Sequence, residues 1–408
     1  MMPRMSHDGL PPDAAFETLA VHAGFEPDEM TGAVAPPIYQ TSTYRFDAIG
    51  VSRNGYEYAR GQNPTRERFE RAVATLEGGG TGIAYASGSA TTAAIAAMAH
   101  PGTEVVAGDD VYGGTFRYLS QIRATDGVTT RFVNVAGDPD SLFEALTERT
   151  SLVWFETPSN PTVKITDIEA AVAAVRARYP EGPRPTIVVD NTFASPALQR
   201  PLDLGADIVF HSATKYLGGH SDLIMGVAVT RDPALAEHLR LMQTAMGAIP
   251  GPFDCFLALR GLRTLHLRVE RHVANAGAVA RFLAGRDDVA WLSYPGLADG
   301  PHANPGAAVA ARQMRGAGGM VSFAPAAGGR HGRTAHERAV AVCEGTRIFT
   351  LAVSLGGVES LIELASEMTH AATAGSTIEV PDALIRLSVG IESADDLVAD
   401  LAQALDQA

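Results

Sequence analysis

Hydrophobic and polar positions alternate in blocks along the middle of the chain, and these blocks predict strands separated by helices. Seven short apolar runs are typical of buried strands; they lie at 82–86, 104–107, 131–135, 152–155, 187–189, 208–210 and 225–229. Residues 168–177, between two of them, carry alanine and valine at helical spacing. Continuous apolar strands that alternate with helices indicate an α/β fold with a mostly parallel central sheet, covered by helices on both faces.

The two ends of the chain have a different pattern. Residues 1–65 contain several prolines and few periodic runs, which predicts an irregular N-terminal arm. We therefore expect a large α/β domain over residues 66–260 and a smaller α+β domain over residues 261–408. The last part combines strand-like and helical segments; they are a long helical stretch at 252–284, strands at 321–323, 349–353 and 385–389, and helices near 334–343 and 394–406.

Composition places the chain among globular proteins and excludes several classes. Of 408 residues, 46% are apolar and 19% are charged, and 32 basic against 46 acidic residues give a net charge of −14. This negative charge repels phosphate backbones, so we expect no nucleic-acid partner. Cys255 and Cys343 have no paired spacing, and the histidines His211, His220 and His370 have no metal-ligand spacing, so we expect neither a disulfide nor a metal site.

No apolar run is long enough to cross a membrane, so we expect no membrane partner. The first seventeen residues lack the apolar core of a signal peptide. The expected location is therefore the cytoplasm.

Three features that follow predicted strands suggest a ligand. Small residues at 87–92 open a helix after the first strand, where free N–H groups bind anions, although such a turn is also ordinary turn chemistry. Asp190 ends another strand and either holds a cationic ring nitrogen or caps the next turn. Lys215 follows Ser212 and Thr214 and either forms a Schiff base beside two phosphate-binding hydroxyls or is a surface lysine.

Together these features fit a ligand with a phosphate, a protonated ring nitrogen and an aldehyde. That ligand is pyridoxal phosphate, whose cationic ring stabilises a substrate carbanion. A nicotinamide cofactor on a Rossmann sheet is excluded, because no GxGxxG follows the first strand.

The motifs around these residues resemble the cystathionine γ-synthase and γ-lyase family, the Cys/Met-metabolism group of pyridoxal-phosphate enzymes. The resemblance extends from about residue 16 to the C-terminus. It rests on nine motifs in the family's order: APPIYQTSTY (35–44), YEYARGQNPTR (56–66), DVYGGTFRY (110–118), ETPSNP (156–161), VVDNTFASP (188–196), HSATKYLGGHSD (211–222), SLGGVESL (354–361), MTH (368–370) and RLSVGIE (386–392).

The resemblance implies the fold of type I pyridoxal-phosphate transferases, with the cofactor bound by the domain over residues 66–260. It implies that Lys215 is the Schiff-base lysine and proton shuttle and that Asp190 pairs with the pyridine nitrogen. Tyr112 is expected to stack on the ring and to assist proton transfer. The phosphate contacts that it implies come from four residues: Gly88 and Ser89 through their backbone, and Ser212 and Thr214.

Tyr58 and Arg60 match a pair that reaches the phosphate of the neighbouring subunit, which implies at least a dimer, and the family implies a dimer of dimers. Arg386 matches the arginine that clamps the substrate α-carboxylate. Asn160 and Ser354 match residues around the cofactor and that carboxylate.

Glu57 and Arg117 match positions that shape the distal substrate pocket of lyase-like members, although a solvated surface pair explains them equally. At position 353, where many members carry an acid that suits a distal ammonium, this chain has Val353. The departure suggests a smaller or less polar γ-substituent than that of cystathionine. Gly114 replaces the cysteine typical of methionine γ-lyases, which argues against that branch.

The resemblance implies γ-replacement or γ-elimination on a homoserine-derived or sulfur amino acid. The motifs resemble γ-synthases most but do not separate synthase from lyase. A specialised amino-acid γ-lyase and an O-acyl-homoserine sulfhydrylase stay open as alternatives. A non-catalytic homologue would be expected to lose Lys215, Asp190 or Arg386, and all three are present.

Overall fold

The computed structural model describes residue 11, residues 14–329 and residues 331–408. They divide into two compact units. The first contains the chain up to residue 95 and residues 210–266, and the second contains residues 96–209 and 267–408. The domain boundaries at residues 65 and 260 stay a prediction. The prediction of no signal peptide rests on the N-terminal segment, and its first ten residues lie outside the described residues.

Fourteen strands are present in the described part of the chain: β1 Phe46–Ala48, β2 Val51–Ser52, β3 Thr81–Tyr85, β4 Glu104–Gly108, β5 Thr129–Val133, β6 Thr150–Glu156, β7 Thr186–Asp190, β8 Ile208–Ser212, β9 Gly226–Thr230, β10 Val289–Ser293, β11 Met320–Pro325, β12 Thr350–Leu351, β13 Leu361–Leu364 and β14 Ile385–Ser388. The seven strands β3 to β9 form one sheet of order β3-β9-β8-β7-β6-β4-β5.

The α-helices of the same part are α1 Phe16–His22, α2 Pro64–Leu76, α3 Gly88–Ala96, α4 Gly113–Arg117, α5 Arg123–Thr125, α6 Pro139–Ala145, α7 Ile168–Arg178, α8 Ser195–Leu198, α9 Pro233–Met246, α10 Pro252–Leu262, α11 Leu265–Ala284, α12 Ala307–Gln313, α13 Ala335–Gly345, α14 Ala365–Met368 and α15 Ala394–Gln407. A π-helical turn at Tyr118–Ile122 joins α4 to α5. None of the described helices is both long enough and apolar enough to span a membrane.

In the first unit, β3 pairs antiparallel with β9. Helix α2 of the same unit begins at a favourable capping sequence. The Asn63 side chain accepts from the backbone N–H groups of Thr65 and Arg66, and Pro64 occupies the first helical position, where its missing N–H costs nothing. The buried side of α2 includes Phe69, so the helix is fixed by both its cap and its core face.

In the second unit, β4 pairs in parallel with β5 and β6, and β6 pairs in parallel with β7. All five residues of β4 are buried, as expected for a parallel strand covered on both faces. The core beside these strands contains Val106, Val153 and Ile187 from the strands and Val172 from α7. Asp167 caps α7 by accepting from Ala170 N. The parallel pairing of these strands confirms the prediction of a mostly parallel sheet.

The second unit also contains a five-stranded sheet of order β10-β11-β14-β13-β12. The central strand β14 is antiparallel to both β11 and β13. Its apolar side chains share one core with those of α11, α13 and α15. The predicted helical stretch at 252–284 is two helices, α10 and α11, and the predicted strand at 349–353 is the two-residue β12. Strands β10 and β13 were not predicted.

Candidate active site

The turn after β3 leaves two backbone donors without acceptors at the start of α3. Ser87 Oγ accepts from Ala90 N at 3.0 Å and caps this nine-residue helix. Among the hydrogen bonds of the described chain, the N–H groups of Gly88 and Ser89 have no acceptor. Unpaired N–H groups at a helix N-terminus form an anion site, so this turn fits a phosphate.

The glycines at this turn allow the backbone to come close to its neighbours. A Cβ on Gly226 would lie 2.5 Å from Ser87 O and 2.2 Å from Thr91 Oγ1, so only glycine fits there. A Cβ on Gly88 would lie 3.1 Å from Ser212 Oγ. The structure therefore places Gly88 close to Ser212, and their role as phosphate contacts stays a prediction.

Ser212 ends β8 and begins the turn that carries Lys215. The Lys215 N–H donates to Ser212 O at 3.1 Å, and the lysine is half-buried. The Thr214 hydroxyl donates to Met225 O at 3.2 Å and accepts from Met225 N at 3.1 Å. Thr214 thus fastens this turn to the buried Met225.

The predicted arm residues Glu57, Tyr58 and Arg60 are exposed. The Arg60 guanidinium lies 5.7 Å from the centre of the Tyr58 ring, and its NH1 donates to Thr244 O at 2.9 Å. The two residues therefore form one exposed group with a positive charge over an aromatic face.

Arg66 holds the backbone of this segment in place, and the prediction of site residues missed it. Its side chain is buried, and NH1 and NH2 donate at 2.8 Å to the carbonyls of Ala59 and Gly61. The NPTR end of the second motif was the signal for it. Arg66 fixes the backbone on both sides of Arg60.

In the second unit, Asp190 ends β7 directly opposite Glu156, the last residue of β6. Asp190 Oδ1 accepts from Thr192 N at 2.9 Å, and Glu156 Oε1 accepts from Tyr112 N at 2.8 Å. Burial, reinforced by the negative charge of Asp190, raises the pKa of Glu156 well above its usual range. Glu156 was not predicted as a site residue, although it begins the ETPSNP motif.

Tyr112 precedes α4 and its side chain is 44% exposed. A Cβ on Gly114 would lie 2.4 Å from the tyrosine ring, and a Cβ on Gly113 would lie 2.5 Å from Thr369 O. Both glycines are therefore required for this conformation, in which the Tyr112 ring lies over Gly114 and stays exposed.

Arg386 lies in β14 and is 2% exposed. Its NH1 donates to Asn160 Oδ1 at 2.8 Å and its NH2 donates to Ser354 O at 3.0 Å. Ser354 has a φ of 93°, a left-handed conformation that is strained for serine. Three predicted site residues are therefore in direct contact around one buried guanidinium.

Two residues beside this arginine were not predicted as site residues. Glu363 Oε2 lies 3.0 Å from Arg386 NH2, and both side chains are almost fully buried. Burial, reinforced by the positive charge of Arg386, lowers the pKa of His370 to about 3. His370 is therefore neutral at physiological pH, and Glu363 is the acid in contact with the guanidinium.

The remaining predicted residues are on the surface. Arg117 is exposed in the last turn of α4, and the side chain of Val353 is 52% exposed. No cluster of three or more histidine, cysteine or acidic residues in the described chain could hold a metal ion.

The α/β fold with its large mixed sheet is that of the fold type I pyridoxal-phosphate enzymes. The family model described as Cys/Met metabolism PLP-dependent enzyme matches residues 17–406. The chain belongs to this family, and the predicted family and fold class are confirmed. Pyridoxal phosphate is its cofactor.

Three similar proteins cover nearly the whole chain. It is 51% identical to cystathionine γ-synthase of Mycobacterium tuberculosis over 98% of this chain and 99% of that protein. It is 45% identical to cystathionine γ-lyase of Dictyostelium discoideum over 96% and 97% of the two chains. The crystal structure of metB from Corynebacterium glutamicum has a TM-score of 0.92 and 44% identity, covering 97% of this chain and 99% of that one.

The residues present fit this cofactor. Gly88 and Ser89 offer unpaired N–H groups to a phosphate, and the close approach of Gly88 to Ser212 leaves no room for a larger side chain. Tyr112 offers an exposed aromatic face, and Asp190 is a buried acid at a strand end. Each feature suits a different part of pyridoxal phosphate.

Proposed function

We propose that this enzyme catalyses γ-replacement on an O-acylated homoserine with cysteine, the reaction of a cystathionine γ-synthase. The assignment of an amino-acid substrate rests on the buried Arg386, whose guanidinium donates to Asn160 and to the carbonyl of Ser354. A fixed guanidinium of this kind suits an α-carboxylate. The 51% identity to the mycobacterial γ-synthase supports the synthase assignment over that of the lyase at 45%.

Bound pyridoxal phosphate supplies an aldehyde that binds amines and a cationic ring that withdraws electrons from the α-carbon. In the proposed mechanism, Lys215 Nζ would hold the cofactor through its aldehyde and would serve as the base and acid that moves protons at the α- and β-carbons of the substrate. The Asp190 carboxylate would favour the protonated ring nitrogen, and Tyr112 would offer its aromatic face to the ring and assist proton transfer.

The phosphate is held in this proposal by the N–H groups of Gly88 and Ser89 and by Ser212. Thr214 contributes by fastening the lysine turn, because its hydroxyl is already engaged by Met225. Arg386 would hold the α-carboxylate of the substrate, because Asn160 and the carbonyl of Ser354 fix its guanidinium.

The proposed active form contains at least two subunits, and we infer a dimer of dimers. The segment that carries Tyr58 and Arg60 exposes apolar side chains that a monomer leaves in water, among them Ile38, Ile49 and Val51. Tyr58 and Arg60 would then reach the phosphate of a neighbouring subunit. Light scattering of the holoenzyme tests this, and a monomer that is fully active would contradict it. The expected cytoplasmic location is part of the same proposal.

A γ-elimination is the second candidate. Glu57 and Arg117 match the distal pocket of lyase-like members, and both side chains are exposed and accessible. The apolar Val353, also exposed, offers no partner to a distal ammonium, which favours a smaller γ-substituent than that of cystathionine. A specialised γ-lyase or an O-acyl-homoserine sulfhydrylase would share this preference.

A substrate panel separates these reactions. The purified holoenzyme is assayed with O-succinyl- and O-acetylhomoserine plus cysteine, and with cystathionine, homocysteine and methionine alone. We expect thioether formation from an O-acylhomoserine and cysteine to exceed the release of 2-oxobutanoate from every substrate. Faster 2-oxobutanoate release from cystathionine or methionine would refute the synthase assignment and support a lyase. If the O-acylhomoserines give homocysteine with added sulfide but no thioether with cysteine, the result would support a sulfhydrylase.

A further inference from the structure

A buried acid lies directly against the arginine that we propose as the carboxylate clamp. Strands β13 and β14 pair so that Glu363 is opposite Arg386. The two side chains are 1% and 2% exposed, and Glu363 Oε2 lies 3.0 Å from Arg386 NH2. Ion pairs this deeply buried interact strongly, because little water screens them.

The hydrogen bonds indicate that Glu363 acts on Arg386 through its negative charge and does not orient the guanidinium. Arg386 directs NH1 at Asn160 and NH2 at the carbonyl of Ser354. Glu363 Oε1 accepts from Thr369 Oγ1 at 2.6 Å, whereas Oε2 accepts no well-directed hydrogen bond within the described residues. Thr369 therefore holds the carboxylate in place, and its other oxygen acts on the guanidinium by proximity.

We propose that Glu363 is a specificity residue that balances the charge of Arg386 and prevents simple anions from occupying the clamp. This inference rests on the proposed function, because it takes Arg386 as the site of the substrate carboxylate. A guanidinium in a buried site without a neighbouring acid attracts any small anion. With Glu363 beside it, an arriving carboxylate also meets a negative charge.

The consequence differs between substrate and simple carboxylate. An amino-acid substrate has an amine and a γ-substituent to bind elsewhere, and these interactions offset the repulsion by Glu363. Acetate binds only through its carboxylate, so the repulsion determines its affinity. Glu363 thus selects amino acids, because it weakens the binding of every ligand whose only interacting group is a carboxylate.

The test measures acetate binding to the holoenzyme by the rise in its melting temperature at constant ionic strength. We expect Glu363→Gln to bind acetate at least about tenfold more tightly than the wild type, the effect of one charge a few ångströms away at protein dielectric. Glu367→Gln is the matched control, because Glu367 is an exposed acid that pairs with His336. It should leave acetate binding unchanged.

Equal acetate affinity in Glu363→Gln and the wild type would overturn the proposal. If that variant does not fold, Thr369→Val carries the test, because it removes the donor that holds Glu363. Because this variant keeps the negative charge of Glu363, we expect it to bind acetate no more tightly than the wild type, and tighter binding would overturn the proposal. Arg386→Gln, which removes the positive charge, tests the clamp separately from the role of Glu363. Acetate binding that survives this change would refute the clamp and with it the proposed function.

Discussion

Replacing Glu156 by glutamine is the most informative single change at the candidate site. Glu156 is 5% exposed, lies opposite Asp190 on the neighbouring strand, and accepts the N–H of Tyr112 at 2.8 Å. Burial and the charge of Asp190 raise its pKa well above 4.5. This shift favours the protonated form of Glu156, and glutamine imitates that form in size, charge and hydrogen bonding.

The sign of the pH effect follows from proton binding. Between pH 4.5 and the raised pKa, Glu156 is protonated in the folded enzyme and ionised in the unfolded chain. Unfolding therefore releases a proton, so this group's contribution to stability falls as the pH rises. The slope is about 1.4 kcal/mol per pH unit within that window and is lost in Glu156→Gln.

The assay is chemical unfolding of the holoenzyme, followed by the visible absorbance of its cofactor, from about pH 5 to about pH 8. We expect the variant to be less sensitive to pH than the wild type and to retain its cofactor. Burial also raises the pKa of Asp110, and this group is present in both proteins. Glu144→Gln on the exposed side of α6 is the control. Equal slopes, or loss of cofactor in Glu156→Gln, would refute the reasoning.

Three further changes test other parts of the site. Gly88→Ala places a Cβ 3.1 Å from Ser212 Oγ, so cofactor binding should weaken by about 1–3 kcal/mol, measured by cofactor titration; unchanged affinity would contradict the phosphate role. Asn160→Ala removes an acceptor 2.8 Å from Arg386 NH1 and should raise the KM for amino-acid substrates about tenfold, whereas an unaltered KM would contradict the clamp. Val353→Glu should raise kcat/KM about fivefold for cystathionine but not for O-acylhomoserine, and equal effects would contradict a role in recognising a distal ammonium.

Most of the fold and part of the site could be predicted from sequence, because both depend on local pattern. Buried parallel strands are continuous apolar runs, so their approximate positions could be predicted, and Asp190 and Lys215 directly follow or lie close after two of the predicted runs. The family motifs contained Asn160, Ser354 and Arg386, which the structure places in contact. The chemical roles of these residues stay predictions.

The charges that surround those residues could not be predicted in the same way. Glu363 lies in an otherwise apolar strand, and its contact with Arg386 depends on the register between two strands far apart in sequence. Glu156 likewise acts through its position opposite Asp190. Pairing of this kind is a property of the assembled sheet, so a pattern within one strand contains no sign of it.

The central claim is that Lys215 carries the cofactor, and one measurement tests it directly. The holoenzyme is treated with borohydride, which fixes the cofactor to its lysine, then digested and analysed by mass spectrometry. We predict that the cofactor's mass appears on the peptide that contains Lys215 and that Lys215→Ala yields no labelled peptide. A label on Lys164, the half-buried lysine that pairs with Asp109, or no label on the active wild-type enzyme, would contradict the account.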